Sequence, residues 1–299
     1  MVSRTTRLNL SAAAASVAVA LCLVGLKLWA LSQTRSLSVA ASLADSALDL
    51  LVSLVGLIGI AYAARPPDHD HAFGHTSAED LTALGQALFL LITAITLAGV
   101  SLRRLLLPTP AALESEGAGI AVMAVSVLLT LGLILWQQRV ARQTGNRVVA
   151  ADSLHYISDL LPNLGAILAL WVSARFGISQ VDTIVGLIAS TILLIGAIRI
   201  GNGAWNALMD RRADPALIAR IETLIADHPG VLGFHDLRTR TAGSRTFIDF
   251  HIELDESLSL NEAHAIGAGL KHKILQTFPQ TDVLIHKDPR PVPPGSELT

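Results

Sequence analysis

The chain has 299 residues and a formal charge of −2, is 52% hydrophobic and 15% charged, and has a mean hydropathy of +0.53. A soluble domain of this length carries about a quarter charged residues, and no basic stripe suited to nucleic acid is present. The lone Cys22 lies in an apolar stretch, which excludes an intrachain disulfide and any thiol-rich metal site.

Arg4 and Arg7 precede an apolar run that continues to about Leu31. Ala18-Val19-Ala20 imitates a signal-peptide cleavage site, and Leu21 is too large to precede a lipoprotein cysteine at Cys22. The run is long enough to cross a bilayer, so an uncleaved first helix is expected. A window of roughly 20 residues predicts six spans, at about 10–32, 39–62, 81–103, 118–137, 149–172 and 182–205. The fourth and sixth stand out by hydropathy alone, and Gln86 mildly interrupts the third. The second and fifth carry ionisable pairs. Small residues, as in Gly56-Leu57-Ile58-Gly59 and from Gly196 to Gly203, allow close helix packing.

Arginine sets the expected orientation. With the N-terminus inside, Arg4, Arg7, Arg65, Arg139, Arg142, Arg147, Arg211 and Arg212 are inside. Arg35, Arg103, Arg104 and Arg175 are then outside. An even number of spans puts both termini on the cytoplasmic side of a multi-pass inner-membrane protein. Lys27 and Arg199 fall within spans, where each can snorkel or meet a buried carboxylate.

After Asp210 the pattern changes. Asp214-Pro215 reads as a helix start, and 215–227 as an amphipathic helix. Strands are expected at 231–241 and 245–254, around a turn at Ala242-Gly243-Ser244. A second helix follows at 259–278 and a short strand at 281–288. The expected organisation is therefore membrane α-helical. A six-helix transport domain (1–208) precedes a small α-β-β-α-β domain of α+β class (209–290). A Pro-rich loose tail begins at Pro289, with 291–299 flexible.

The chemistry sits in three clusters. Asp45 with Asp49, and His155 with Asp159, are two i, i+4 pairs inside apolar helices, so each pair shares a helix face. A carboxylate near a bilayer centre costs about 2.5–3.5 kcal/mol. Packed together, the four ligands make a tetrahedral set suited to a Zn²⁺-like ion. Pairing of the aspartates with Lys27 or Arg199 as structural glue leaves the repeated spacing unexplained. The loop Asp68-His69-Asp70-His71-Ala72-Phe73-Gly74-His75 is the second cluster, with Asp70, His71 and His75 expected to hold one ion. The alternative for that loop is a solvated His-rich tract. The third comprises His235, His251, His264, His286 and Asp288. Pairing across the turn sets His235 opposite His251, and His286 and Asp288 share a strand face.

No Gly-Lys-Ser/Thr loop and no His-Glu-x-x-His occurs, so neither a nucleotide site nor that metallohydrolase signature is present. Transport would then run on an ion gradient. Metal ligands must lose protons to bind, which gives a route to metal–proton exchange.

These residues together resemble the cation diffusion facilitator family, in its bacterial ferrous-iron/zinc efflux branch. The motifs are Ser42-Leu43-Ala44-Asp45-Ser46 with Asp49, His71-x-Phe73-Gly74-His75-x-x-Ala78-Glu79, and Ala151-Asp152-x-Leu154-His155-Tyr156-x-Ser158-Asp159. The soluble domain adds His235-Asp236-Leu237-Arg238-Thr239-Arg240 and His286-x-Asp288-Pro289. The resemblance implies a homodimer that exports divalent cations against protons by alternating access. It implies a transport site at Asp45, Asp49, His155 and Asp159, and a loop site at Asp70, His71 and His75. It also implies a two-metal site at His235, His251, His286 and Asp288, with His264, in a dimerising domain of ferredoxin or metallochaperone type. Zn²⁺ is the expected cargo and structural or regulatory ion, with Cd²⁺ or Fe²⁺ as alternatives. One departure is clear: relatives often carry Lys where Ser77 stands, paired with an Asp after the sixth span, and here Asp210 remains without it. A membrane-anchored metal sensor that binds without transporting is the alternative reading, and an intramembrane metal-dependent hydrolase a more distant one.

Overall fold

The computed structural model describes residues 4–34, 37–106, 117–176 and 181–290. The chain divides into two compact units, Met1–Trp205 and Asn206–Thr299. Six long helices occupy the places where spans are expected: α1 (Arg4–Thr34), α2 (Leu37–Ala63), α3 (Ser77–Leu106), α4 (Gly117–Thr144), α5 (Arg147–Phe176) and α6 (Val181–Leu208). Several extend beyond the predicted spans, because helix geometry continues past the apolar window into polar ends such as Gln137–Thr144. Among the described residues, four helices are long and apolar enough to cross a membrane, over Arg4–Gln33, Ser42–Ala63, Ser77–Arg103 and Thr183–Leu208. The expected spans at 118–137 and 149–172 lie partly outside the described side chains. So do Arg35, Arg104, Arg175 and the tail 291–299.

The first unit inverts the order of a soluble protein. Many of its fully buried positions are small, as at Ala12, Ala83, Ala189 and Ala204, beside a few large ones such as Tyr156, Leu90 and Leu193, while Leu51, Ile58, Ile92 and Leu128 are each more than half exposed. Such a surface suits hydrocarbon, and helices whose inner faces are small can approach closely. At Gly59 an added Cβ would fall on Thr82, and at Gly196 on Leu154. Arg147 at the start of α5 donates to the buried Asp80 of α3, compensating that carboxylate.

In the second unit the order α7 (Pro215–Ala226), β1 (Gly233–Ala242), β2 (Arg245–Asp255), α8 (Leu260–Thr277), β3 (Thr281–Arg290) matches the expected α-β-β-α-β. Asp214 caps α7 by accepting from Ala216 N–H, with Pro215 in the first turn. Ser259 and Glu262 form a reciprocal capping box on α8. The sheet order is β1-β2-β3, with β1–β2 antiparallel and β2–β3 parallel. Ile248, Phe250, Ile252 and Leu254 of β2 pack with Ile221 and Ile225 of α7 and Leu270 and Ile274 of α8. Alternation along β2 therefore turns Asp249, His251 and Glu253 to the sheet's other face. β3 runs through Pro289 to Arg290 rather than stopping before a loose tail, because an edge strand tolerates a residue without an N–H.

Candidate metal centres

Asp49 of α2 and His155 and Asp159 of α5 present one ligand atom each, all within 4.8 Å of one another. His155 Nε2 lies 3.1 Å from Asp49 Oδ1, to which its N–H donates, and 3.9 Å from Asp159 Oδ2. The His155 ring is buried, with Phe89 edge-on at 5.7 Å. Ser158 Oγ donates to the His155 carbonyl at 2.5 Å and lies 3.3 Å from Asp159 Oδ1, between the two candidate ligands. Asp45, one turn before Asp49, is exposed and outside this set. Two groups beside the site are not in the sequence-derived set. Lys27 Nζ of α1 donates to the Ser42 carbonyl at 3.0 Å and to Ser46 Oγ at 2.6 Å. Asp152, a turn before His155, is buried and accepts from Gln137 Nε2. Both carried the same signal as the ligands, an ionisable residue in an apolar helix.

In the loop, the set that assembles is Asp68, His71 and His75. The expected Asp70 is not brought into it. Asp68 Oδ1 accepts the backbone N–H groups of Asp70 (3.1 Å) and His71 (2.8 Å), and also lies 3.2 Å from His71 Nδ1. Asp68 Oδ2 is 3.2 Å from the buried His75 Nε2. Closure of this Asx turn folds Asp68 onto the histidines, with Gly74 supplying a left-handed φ of 84°. Asp70 contacts the exposed His69 instead, at 3.4 Å. The His71 backbone N–H is the main cause that holds the Asp68 carboxyl below the usual carboxylate range.

The third set forms a row across the sheet. His235 pairs with His251, and His251 with His286, on adjacent strands. Asp288 closes it: Oδ2 accepts from His251 Nδ1 at 2.9 Å and lies 3.4 Å from His235 Nε2, and Oδ1 lies 3.3 Å from His286 Nε2. A bulge between His235 and Arg238, with Asp236 at φ 51°, interrupts what the sequence presents as one continuous strand. The hydrogen bond from His251 is the largest cause lowering the Asp288 pKa. His264 is exposed on α8. That helix packs on the opposite face of the sheet from the histidine row, so within one chain His264 is not brought into the set. Asp210, the residue left without its expected lysine, meets Arg240 Nη1 at 3.4 Å.

Comparisons with known proteins cover both units. The cation efflux transmembrane domain matches residues 13–209, and the cation efflux protein cytoplasmic domain matches 213–290. The cation-efflux pump FieF of Shewanella oneidensis is 42% identical over 286 residues, 96% of each chain. FieF of Salmonella arizonae is 38% identical over 288 residues, 96% of this chain and 95% of its own. Among solved structures, the zinc form of CzrB is 30% identical, covers 30% of this chain and 100% of its own, and has a TM-score of 0.26.

Proposed function

The chain belongs to the cation diffusion facilitator family, in its iron/zinc branch, and from that premise we propose that it exports Zn²⁺ in exchange for protons by alternating access. That it is a cation efflux transporter of the membrane, not an enzyme, follows from the family and from relatives matched along nearly their whole length. The observation that carries the finer reading is the position of His155 Nε2, facing Asp49 and Asp159 together. An N–H on that nitrogen points where a metal would bridge the same carboxylates. Metal and proton compete for one lone pair, so binding of one expels the other.

One imidazole with carboxylates suits Zn²⁺, and Cd²⁺ or Fe²⁺ are the alternative cargoes. In this reading Asp45 joins as the fourth ligand, both termini are cytoplasmic, and the protein works as a homodimer. The Asp68–His71–His75 set and the His235–His251–His286–Asp288 row bind further ions. The second would adjust dimer geometry to cytoplasmic metal level. A sensor that binds without transporting is less favoured, because the match to efflux pumps spans 96% of the chain.

The test is Zn²⁺ flux into proteoliposomes under an imposed pH gradient, with wild type beside Asp49→Ala and His235→Ala. Flux in wild type, its loss in Asp49→Ala and its partial retention in His235→Ala support the assignment. Zn²⁺ binding with no flux under any gradient refutes it in favour of the sensor.

A further inference from the structure

Lys27 is an unusual residue to place beside a cation-binding site. It lies in the apolar run of α1, in which the next basic residue toward the N-terminus is Arg7. Its ammonium is held against α2 by two hydrogen bonds, to the Ser42 carbonyl at 3.0 Å and to the buried Ser46 Oγ at 2.6 Å. Ser42 and Ser46 flank Asp45 on α2, and Asp49 follows within the next turn. The charges in electrostatic reach of Lys27 are Asp49 and Asp45 on α2 and Asp159 on α5. The ammonium is thus tethered to neutral acceptors on α2, on either side of Asp45 in the sequence, with the three carboxylates assigned to transport in electrostatic reach.

We propose that Lys27 is a specificity-determining residue of the transport site, a tethered cation that cancels one carboxylate and keeps the bound metal exchangeable. The inference rests on the transport reading above. Its basis is charge. Three carboxylates carry −3, and a divalent ion with neutral His155 leaves −1 in an apolar surround. One ammonium brings that remainder to zero. Without it, the site would hold a divalent ion in an excess of negative charge, in a medium where unscreened charges act strongly. Binding would tighten and release would slow. A residue that merely braces α1 against α2 has no such effect, because loosened packing weakens binding and turnover together.

The experiment measures Zn²⁺ flux against Zn²⁺ concentration in proteoliposomes of full-length wild type, Lys27→Met, Lys27→Gln and Lys27→Arg. Lys27→Gln keeps a donor for Ser42 and Ser46 but removes the charge, so it separates charge from tether. The expected result is that Lys27→Met and Lys27→Gln lower KM and maximal rate, each by about tenfold, while Lys27→Arg stays within about threefold of wild type. An unchanged or raised KM in Lys27→Gln overturns the proposal, as does Lys27→Arg behaving like Lys27→Met. If wild type moves no Zn²⁺, the transport reading fails separately. Equilibrium Zn²⁺ binding to the same proteins then decides: tighter binding by Lys27→Gln supports the charge role, and equal or weaker binding refutes it.

Discussion

The loop set offers a sharp test, because two neighbouring aspartates compete for one role and the structure separates them. Asp68 Oδ2 faces His75 Nε2 at 3.2 Å and Oδ1 faces His71 Nδ1 at 3.2 Å, whereas Asp70 is turned to His69 on the exposed side. Asp68→Ala removes a ligand and also the acceptor of two backbone N–H groups that shape the turn. Loss of a residue that merely orients ligands typically costs about 10–100-fold in metal affinity. Loss of a ligand that also orients its neighbours is expected at the upper end, on the order of 100-fold or more. Asp70→Ala touches no ligand atom of the set and is expected to change affinity by less than about threefold, a value consistent with a distant surface charge. The assay is equilibrium Zn²⁺ binding to detergent-solubilised full-length protein, in an Asp49→Ala, His155→Ala, His235→Ala, His251→Ala background that dismantles the other two candidate sets found among the described residues. A large loss in Asp70→Ala with little change in Asp68→Ala would refute the reasoning, since the turn would then present the other carboxylate.

Three further outcomes follow from the same geometry. Asp49→Asn keeps the shape but not the charge beside His155; with apparent Zn²⁺ binding of about 10–16 kcal/mol shared by four ligands, the loss is roughly 3 kcal/mol, or about 100-fold in Kd, read by Zn²⁺ titration of the transport site. Gly59→Val drives a branched side chain into Thr82 across the α2–α3 contact and should cost about 1–3 kcal/mol, seen as a lower thermal midpoint in detergent; an unchanged midpoint would mean the helices separate freely there. The lowered Asp288 pKa stabilises the second unit fully above the usual carboxylate range, and that contribution is lost as pH falls through the folded value. Hydrogen exchange of β3 should therefore stay protected between about pH 8 and 5 as far as Asp288 is concerned. Asp288→Asn should flatten the acid limb below that window, and an unaltered acid limb would count against the His251–Asp288 bond.

What the sequence revealed and what it concealed divide along a physical line. Periodic information was legible. Hydropathy located all six helix positions, period-2 alternation in 245–254 located the polar face of β2, and the Asp214-Pro215 and Ser259–Glu262 signals marked the helix starts. The His235–His251 pairing rests on more than the turn: the register from Ala242–Arg245 alone sets His235 opposite Ile252, and the extra residue in β1 moves it opposite His251. Local backbone choices were not legible. The bulge at Asp236 is such a choice: one extra residue in β1 shifts the strand's alternation by one, leaving His235 and Asp236 both exposed. Nor does spacing decide between Asp68 and Asp70, which differ in which carboxylate the turn's own N–H groups capture. Neighbours across helices were also hidden: the Lys27 tether joins residues of two helices, and no i, i+4 rule reports it.

Asp45 carries this division into mechanism. The i, i+4 spacing sets it on the Asp49 face of α2, yet its side chain is exposed while Asp49 meets His155 and Asp159. Four residues of helix separate the two carboxylates by about 6 Å along the axis and about 40° around it. A change of rotamer alone covers that separation poorly, whereas a slide or tilt of α2 against α5 covers it directly. The buried Ser46 and the Ser42 carbonyl, both held by Lys27, sit on the turn that would have to move. In the proposed cycle, recruitment of Asp45 as a fourth ligand would be coupled to displacement of a whole helix. That coupling is what an alternating-access cycle requires, because a ligand has differential affinity for two conformations only if they present different contacts.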